Sequence, residues 1–549
     1  MWQWLRTHPF WIILLATLIA YLPYFSAEFV WDDEQFIFSN QHILNGDVAK
    51  ILSTSITDGA GVISNYFRPL TALSFALDKA IWGLNPVAFR FVNVGAHLLA
   101  GATAFLLLRR LKASRTAALV ISGLFLLHPI QAEAVTYINA RSNSFYALFG
   151  LLGLLCFTLA IQLSSKKIMF LGIEYSVTRL QLLIVSVLFY LLAIFSKETA
   201  LAVIGLYCLI LATYWVTSPR GSLGRFLWKP TIALLAGFLL AFLYLYLRAT
   251  VWNFNGTFGQ THSADIYNES IYVRLHTFTK VFFLYQQKLF IPYPLHMEYL
   301  VEPITSWLSW WLAAFLTLMS TLVFFGWKAL GRGNYWVLLG LGWYFAPLVP
   351  VSGIVPVNGI MYESWQYVPI IGWGMTLYGI YLEVDRRYPL KKLRSMLIGL
   401  GLFVVIFYSS LVIRQNYFWS TPIRLYSYLL KYTESARIHN NLGMAYAEAG
   451  SSEAALGEYR RALELGYNYP QIHHNMANTY VDLNNPDEAI KSYRKALELS
   501  PDFYYSYANL LKLLVEYQPE EAEGFISDVE KKNALWGAEL REMLHILSN

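Results

Sequence analysis

The chain has 549 residues, of which 56% are hydrophobic and only 14% are charged, and its net charge is +6. Soluble domains carry about 25% charged residues, so the composition excludes a protein built only of water-soluble domains. The two cysteines, Cys156 and Cys208, both lie in apolar runs, which excludes a disulfide framework and a thiolate zinc site.

Apolar stretches of about 20 residues, the length that crosses a bilayer, dominate as far as about residue 420. The predicted spans are 9–25, 88–108, 116–135, 143–163, 178–196, 199–217, 230–248, 305–327, 334–352, 365–384 and 395–414. The first of them lacks a small-residue cleavage site, which predicts a retained anchor rather than a removed signal peptide.

Basic residues fill one set of loops, near 109–115, 166–179, 220–229, 328–332 and 386–394. Lys and Arg in short loops mark the cytoplasmic side of a membrane protein. The loops at about 26–87 and 249–304 are therefore predicted to face outward. An odd number of spans, about eleven, would place the C-terminal domain outside as well.

The predicted C-terminal domain, 421–549, contains an internal repeat. The segments NNLGMAYAEAGSSEAALGEYRRALELG and HNMANTYVDLNNPDEAIKSYRKALELSPD match at an offset of 34 residues. Small and aromatic residues recur at equivalent places, as in the tetratricopeptide repeat (TPR). We predict repeats at about 436–469 and 470–503, with a degenerate capping repeat at 504–535. TPRs bind peptides or proteins and perform no chemistry.

Ionisable residues gather at the predicted outer boundary of the membrane, where their cost makes them candidates for function. Asp32, Asp33 and Glu34 follow the first span directly. They are either solvated interfacial acids or a base or metal-binding acid, since adjacent acids raise one carboxyl pKa. Arg68 precedes Pro69 and an amphipathic stretch, where it either binds a lipid phosphate or extends to the headgroups.

Further candidates lie on the same predicted side. His128, Glu133 and Arg141 belong to one segment, in which the eight-residue spacing of the last two predicts a shared helix face. A structural salt bridge is the alternative. The remaining candidates are Lys197, Glu198, Arg274, His276 and Glu363.

The chain resembles the GT-C glycosyltransferases, and among them the transmembrane and TPR-repeat-containing protein O-mannosyltransferases with their bacterial members. The resemblance is carried by FVWDDEQFIFSN, YFRPLTALSFAL, LHPIQAEAVTYINARSN, FSKETALA and PVNGIMYESWQYVPIIG, in family order. It implies an all-α fold, in which a GT-C-like membrane domain of about 11 spans (1–420) precedes a TPR α-solenoid (421–549). Ser364 departs from the family, which often has Arg or His after the acid of that motif.

The resemblance implies an inverting transfer of a mannose-like hexose from a polyprenyl-phosphate donor to a protein hydroxyl on the outer face. It implies Asp32 or Asp33 as the base, and Arg68 on the donor phosphate. Glu133 is expected to assist the acceptor or, with Asp33, to bind a divalent metal if one is needed. Further phosphate-binding and supporting residues are expected to be Arg141 and Lys197, then Glu34, His128, Glu198, Arg274, His276 and Glu363.

Two alternatives to this function stay open. The acceptor could be a glycolipid or polysaccharide, or the chain could be a non-enzymatic TPR scaffold of an envelope complex. The TPR domain is expected to bind the protein acceptor or an envelope partner, and no feature indicates nucleic-acid binding. We expect a multi-pass protein of a bacterial inner membrane with its active site and TPR domain on the periplasmic side.

Overall fold

A computed structural model describes residues 9–61, 64–163, 167–170, 173–217, 223–250, 267, 270–355, 357, 359–388 and 394–548. The chain divides into two compact units, Met1–Ser420 and Thr421–Asn549. Residues 1–8 and parts of the basic loops, at 164–166, 218–222 and 389–393, lie outside the described residues.

The first unit is helical, with one short hairpin. Its helices are α1 (Pro9–Tyr21), α2 (Gln41–Asn45), α3 (Val48–Ile51), α4 (Pro69–Trp82), α5 (Pro86–Arg110), α6 (Arg115–Leu127), α7 (Ala132–Thr136), α8 (Arg141–Gln162), α9 (Arg179–Ser196), α10 (Val203–Thr217), α11 (Leu223–Thr250), α12 (Ile271–Phe290), α13 (Trp310–Leu330), α14 (Trp336–Phe345), α15 (Pro369–Arg387) and α16 (Arg394–Phe418). The antiparallel hairpin β1 (Lys167–Phe170) and β2 (Ile173–Ser176) pairs Lys167 with Ser176. Single helical turns occur at Leu22–Tyr24, Glu34–Phe38, Asp58–Ala60, Pro129–Gln131, Glu198–Ala202, Ala346–Val351 and Glu363–Gln366.

The described helices support fewer complete spans than the eleven predicted. Six are long and apolar enough to cross a membrane: Pro86–Arg110, Arg141–Gln162, Arg179–Ser196, Glu198–Thr217, Trp228–Thr250 and Trp310–Leu330. A bent pair, Arg115–Leu127 with Pro129–Thr136, makes a seventh if it counts as one span. Other apolar stretches form shorter helices, such as Pro9–Tyr24 and Trp336–Val351. The chain is thus a multi-pass membrane protein, but the odd span count gains no support, and the side of the TPR domain stays a prediction.

The bend after α6 corrects one expectation about helix faces. The His128 side chain accepts a hydrogen bond from the Ile130 N–H (3.2 Å), and Pro129 begins a separate turn. The chain then forms the short α7, leaves it at Tyr137, and starts α8 at Arg141. Glu133 and Arg141 therefore lie on different helices and share no helix face.

The predicted outer loop at 26–87 is a folded segment with its own apolar core. Phe36 and Ile37, in the turn after the acids, pack with Phe75 of α4 and Phe89 of α5. Each of these four side chains is at most 5% exposed. Burial of apolar side chains stabilises such a segment, and here it fixes the backbone that carries the acids and Arg68.

The membrane helices pack closely where glycine allows it. Helices α14 and α15 approach each other at Gly340 and Gly372. A Cβ at Gly340 would meet the backbone nitrogen of Thr376 at 2.4 Å, and one at Gly372 would meet that of Tyr344 at 2.4 Å. Small residues at such crossings let backbones approach within a membrane domain.

The second unit is an array of helix pairs. Its helices are α17 (Pro422–Leu429), α18 (Ala436–Glu448), α19 (Ser452–Glu464), α20 (Pro470–Asp482), α21 (Pro486–Leu499), α22 (Tyr504–Tyr517), α23 (Pro519–Lys532) and α24 (Ala534–Ser548). Gly443 of α18 lies against the ring of Tyr459 of α19, where an added Cβ would meet ring atoms at 2.6 Å. The small residue of the repeat pattern is therefore needed for the aromatic one to pack.

Candidate active site

The two adjacent acids of the first outer segment have different surroundings. Asp33 is fully buried, and its two oxygens accept hydrogen bonds from the backbone N–H groups of Val30 (3.0 Å) and Asn139 (2.9 Å). Burial raises the pKa of Asp33 to about 7, although both hydrogen bonds and the nearby Arg90 act in the opposite direction. Asp32 is half-buried, and its backbone N–H donates to the Tyr137 hydroxyl (3.2 Å).

Arg68 is joined to Glu198 from a distant part of the chain. The Arg68 Nε donates to Glu198 Oε2 (3.1 Å), and Nη1 approaches the Ser142 hydroxyl (3.5 Å) at the start of α8. The guanidinium lies over the ring of Tyr66, 4.6 Å from its centroid. Arg248, near the end of α11, lies on the other side of the Glu198 carboxylate, with Nη1 3.9 Å from Oε1.

Lys197 and Glu133 extend this cluster. The Lys197 ammonium donates to Asn143 Oδ1 (2.5 Å), and it interacts electrostatically with Arg68 and Glu133. The Glu133 carboxylate accepts two hydrogen bonds from Ser364, one from the hydroxyl (2.7 Å) and one from the backbone N–H (3.2 Å). Ser364, where the sequence departs from the family, thus fixes the orientation of this buried acid.

Glu363 forms an acid pair with Glu133. Its side chain is buried, and Oε1 accepts a hydrogen bond from the Tyr299 hydroxyl (2.5 Å). Burial raises the pKa of Glu363, and the neighbouring negative charge of Glu133 raises it further. Burial raises the pKa of Glu133 as well, although Ser364 and Lys197 oppose that rise. Like charges in a low dielectric cannot both ionise easily, so the pair tends to keep one proton.

Two tyrosines, Tyr66 and Tyr362, lie within electrostatic range of several of these charged residues. Burial raises the pKa of Tyr66, and the charges of Arg68, Glu198 and Asp32 also act on its hydroxyl. Burial raises the pKa of Tyr362 as well, and there the acting charges are Glu133 and Asp32. Electrostatic interactions therefore connect five charged residues from four separate segments: Asp32, Arg68, Glu133, Lys197 and Glu198.

Arg141, predicted to bind phosphate, lies in a different environment. Its guanidinium is fully buried and forms an ion pair with Asp78 (2.5 Å). Its Nε donates to Asn93 Oδ1 (2.8 Å) and its Nη1 to the Ser74 hydroxyl (2.9 Å). Nη2, which also pairs with Asp78, donates to the Phe89 carbonyl (2.9 Å). With its donors used in this way, Arg141 joins α4, α5 and α8 and is a structural residue.

The other predicted supporting residues are placed mostly outside the cluster. His128 Nε2 bonds to the Leu289 carbonyl (3.0 Å) and holds the bend after α6. Arg274 donates to the Gly353 (2.6 Å) and Tyr267 (3.2 Å) carbonyls. His276 bonds to the Tyr272 carbonyl (3.1 Å) on its own helix, and Glu34 is exposed.

Arg248 and Ser364 were not among the candidate site residues of the sequence analysis. Arg248 ends an apolar helix, where a lone basic residue is ordinarily taken for a helix-end charge. Ser364 carries no charge and stands beside an acid that had already been selected. In the described part of the chain, no group of three or more His, Cys, Asp and Glu side chains is arranged to hold a metal ion.

Comparisons with known proteins agree with this architecture. Tetratricopeptide repeat models match residues 436–466 and 470–503. Protein O-mannosyl-transferase TMTC4 of Mus musculus is 24% identical over 505 residues, which covers 82% of this chain and 66% of the mouse protein. The Homo sapiens protein of the same name is 25% identical over 509 residues, with the same coverage.

Over most of its length, the chain is similar to proteins named protein O-mannosyl-transferases. A third relative, protein O-mannosyl-transferase F38B6.6 of Caenorhabditis elegans, is 23% identical over 474 residues, covering 84% of this chain and 63% of that protein. The predicted resemblance is thus confirmed, as is the all-α membrane domain with C-terminal TPRs. The chain spans 66% or less of the length of these relatives.

Among solved structures, the chain aligns with ArnT from Cupriavidus metallidurans bound to undecaprenyl phosphate. The TM-score is 0.40 at 14% identity, and the alignment covers 88% of this chain and 80% of ArnT.

Proposed function

We propose that this protein is a membrane glycosyltransferase that moves a hexose, mannose by analogy with its relatives, from a polyprenyl-phosphate donor to a protein hydroxyl. The observation that supports this most is the meeting of Asp32, Arg68, Lys197 and Glu133 in one partly buried site. Such a site combines a carboxylate that can take a proton with cations that can hold a phosphate. Those are the two groups that this transfer requires.

The leaving group is handled by the basic side of the site. In the transfer, the bond between the anomeric carbon and the phosphate oxygen breaks, and negative charge grows on the polyprenyl phosphate. Arg68 and Lys197 stabilise that charge, because cations in a site of low dielectric act more strongly than in water. Arg68 can offer two parallel N–H donors to phosphate oxygens, while Lys197 acts as a point charge.

The acceptor is activated by the acid side of the site. The acceptor oxygen attacks the anomeric carbon from the face opposite the phosphate, and its proton passes to the Asp32 carboxylate. The configuration inverts in this single displacement. We assign the base to Asp32 rather than Asp33, although the raised pKa of Asp33 would suit a base, because both Asp33 oxygens are occupied by backbone N–H groups.

Glu133 positions the acceptor in this proposal. Its carboxylate is fixed by Ser364 and lies beside Lys197, so it can accept a hydrogen bond from an acceptor group without leaving its place. When the pair of Glu133 and Glu363 holds one proton, its protonated member can in turn donate a hydrogen bond. This acid pair therefore provides both an acceptor and a donor for a polar substrate.

The TPR unit is proposed to recruit the protein acceptor. The relatives are named protein O-mannosyl-transferases, and TPRs bind polypeptides. The Lys/Arg-rich loops support a site on the side of the membrane opposite the cytoplasm. For a bacterial cell, that side is the periplasmic face of the inner membrane.

The experiment that tests this function is sugar transfer in membranes containing the full-length protein. Undecaprenyl-phosphate [¹⁴C]mannose is offered with total envelope protein, and label in protein, in lipid and in polysaccharide is counted separately. Wild type should label protein, and Asp32→Asn and Arg68→Ala should not. Asp58→Asn and Lys50→Ala, exposed residues of the same outer segment, are the matched controls. Label only in lipid or polysaccharide would reject the protein acceptor, and no label from this donor would reject the proposed activity.

A further inference from the structure

The feature that carries a further inference is a carboxylate placed between two arginines. Glu198 forms an ion pair with Arg68 on one oxygen (3.1 Å) and faces Arg248 with the other (3.9 Å). The side chains of Arg68, Arg248 and Glu198 are 12%, 11% and 19% exposed, so the group is mostly shielded from water but not sealed.

Within this group, one carboxylate contacts two guanidinium groups. Lys197 lies nearby, but burial lowers its pKa to about 7 and Glu133 acts on it as a counter-charge. Cations taken out of water are costly unless they are paired with anions. The cluster thus favours a second anion, or one with more charge than a carboxylate.

The Glu198 carboxylate lies closer to Arg68 than to Arg248. The contact with Arg68 is a charge-assisted hydrogen bond at 3.1 Å, whereas Oε1 stands 3.9 Å from Arg248 Nη1. Among the described residues, that Oε1 atom is buried and has no hydrogen-bond donor. Arg248 is held in place by its bonds to the Tyr244 hydroxyl (3.3 Å) and the Asn65 carbonyl. A tetrahedral phosphate, with more oxygens than a carboxylate, can reach both guanidinium groups at once.

We propose that Arg248 is a second phosphate-binding arginine and that Glu198 is an internal anion. The lipid phosphate displaces Glu198 as it loses the sugar and becomes the polyprenyl phosphate monoester, which has a further oxygen and more negative charge than the diester of the donor. This inference rests on the proposed function, because it places the phosphate of that donor. It makes a prediction of unusual sign, since removing an acid next to the site should improve binding. While no donor is bound, Glu198 lies between the two arginines and its negative charge partly neutralises theirs.

The test measures binding of undecaprenyl phosphate to the full-length protein in nanodiscs. Glu198→Gln keeps the shape of the side chain and removes its charge. It should tighten binding about tenfold, because the phosphate no longer has to replace one charge-assisted hydrogen bond. Arg248→Gln should weaken binding about tenfold. Arg248→Lys retains the charge without the planar fork and should weaken it about threefold, which provides a second variant if the first folds poorly.

The chain offers a matched control for Glu198→Gln. Glu383 also contacts two arginines, Arg332 (3.0 Å) and Arg386 (3.4 Å), away from the site. Glu383→Gln should change binding less than twofold. Undecaprenol, which has the tail without the phosphate, should bind wild type and Glu198→Gln equally.

The outcomes separate this inference from the proposed function. Unchanged or weaker phosphate binding by Glu198→Gln, or unchanged binding by Arg248→Gln and Arg248→Lys, would overturn the inference even if sugar is transferred. The expected binding pattern without any sugar transfer would instead reject the proposed function and leave the phosphate site standing.

Discussion

Asp32 and Asp33 are adjacent in the sequence, but their substitutions should fail in different ways. Asp32 is half-buried beside the site tyrosines, while Asp33 is fully buried among backbone donors. Asp32→Asn should therefore lower the transfer rate with little loss of stability. Removal of a general base costs typically about 10²–10⁴-fold in rate, and the same range is expected here.

Asp33→Ala should instead weaken the fold. The substitution leaves the N–H groups of Val30 and Asn139 buried without an acceptor. Each unsatisfied buried group costs about 1–3 kcal/mol, so the loss is about 2–6 kcal/mol before any effect of the nearby Arg90. The transfer rate per folded molecule should fall less than tenfold.

The assay combines thermal melting in detergent with transfer rates normalised to folded protein, for both variants in parallel. Asp47→Asn, an exposed residue of the same segment, controls for nonspecific effects. The reasoning is refuted if Asp32→Asn transfers sugar at the wild-type rate. It is equally refuted if Asp33→Ala melts like wild type and abolishes transfer.

Three other predictions concern stability. The folded pKa of Asp33, about 7, lies above its ordinary 3.8, so the stability it contributes is full below about pH 4 and lost as the pH rises through 7. Stability, and with it the melting temperature, should therefore fall between about pH 4 and 7, by at most ~4 kcal/mol at about 1.4 kcal/mol per pKa unit, and Asp33→Asn should flatten this slope. Arg141→Ala leaves Asp78 buried without its cation and should cost about 3–5 kcal/mol, seen as a lower melting temperature. Gly443→Ala should cost about 1–3 kcal/mol by crowding Tyr459 and speed hydrogen exchange in the first repeat, whereas Gly457→Ala, with open space around it, should not.

The sequence was most informative where local patterns determine structure. The 34-residue offset predicts the helix pairs because each repeat buries the same small and aromatic residues, as Gly443 and Tyr459 do. Apolar stretches predict where membrane helices occur, but not where proline ends them. The turn that His128 and Pro129 make after α6 is one such interruption, and it separates Glu133 from Arg141.

The site itself was only partly predictable. Motif residues such as Arg68 and Lys197 could be selected one by one, because ionisable groups are costly at a membrane boundary. Their partners could not be selected, since the pairing of Arg141 with Asp78, or of Arg68 with Glu198, depends on contacts between residues distant in the chain. Arg68 and Arg141 illustrate what the sequence could not predict. Both were selected as phosphate-binding residues, but Arg68 lies in the candidate site and Arg141 is fully engaged within the fold.

That difference between the two arginines follows from how each charge is neutralised. Arg141 has four partners inside the fold, one of them the dedicated carboxylate of Asp78, so another anion would have to break this network. Arg68 shares the carboxylate of Glu198 with Arg248, so that one negative charge contacts two guanidinium groups. A buried cation with a complete set of partners holds a structure together, whereas a partly compensated one retains the capacity to bind a substrate anion. By this criterion we propose the phosphate site at Arg68, whereas the network around Arg141 holds α4, α5 and α8 together.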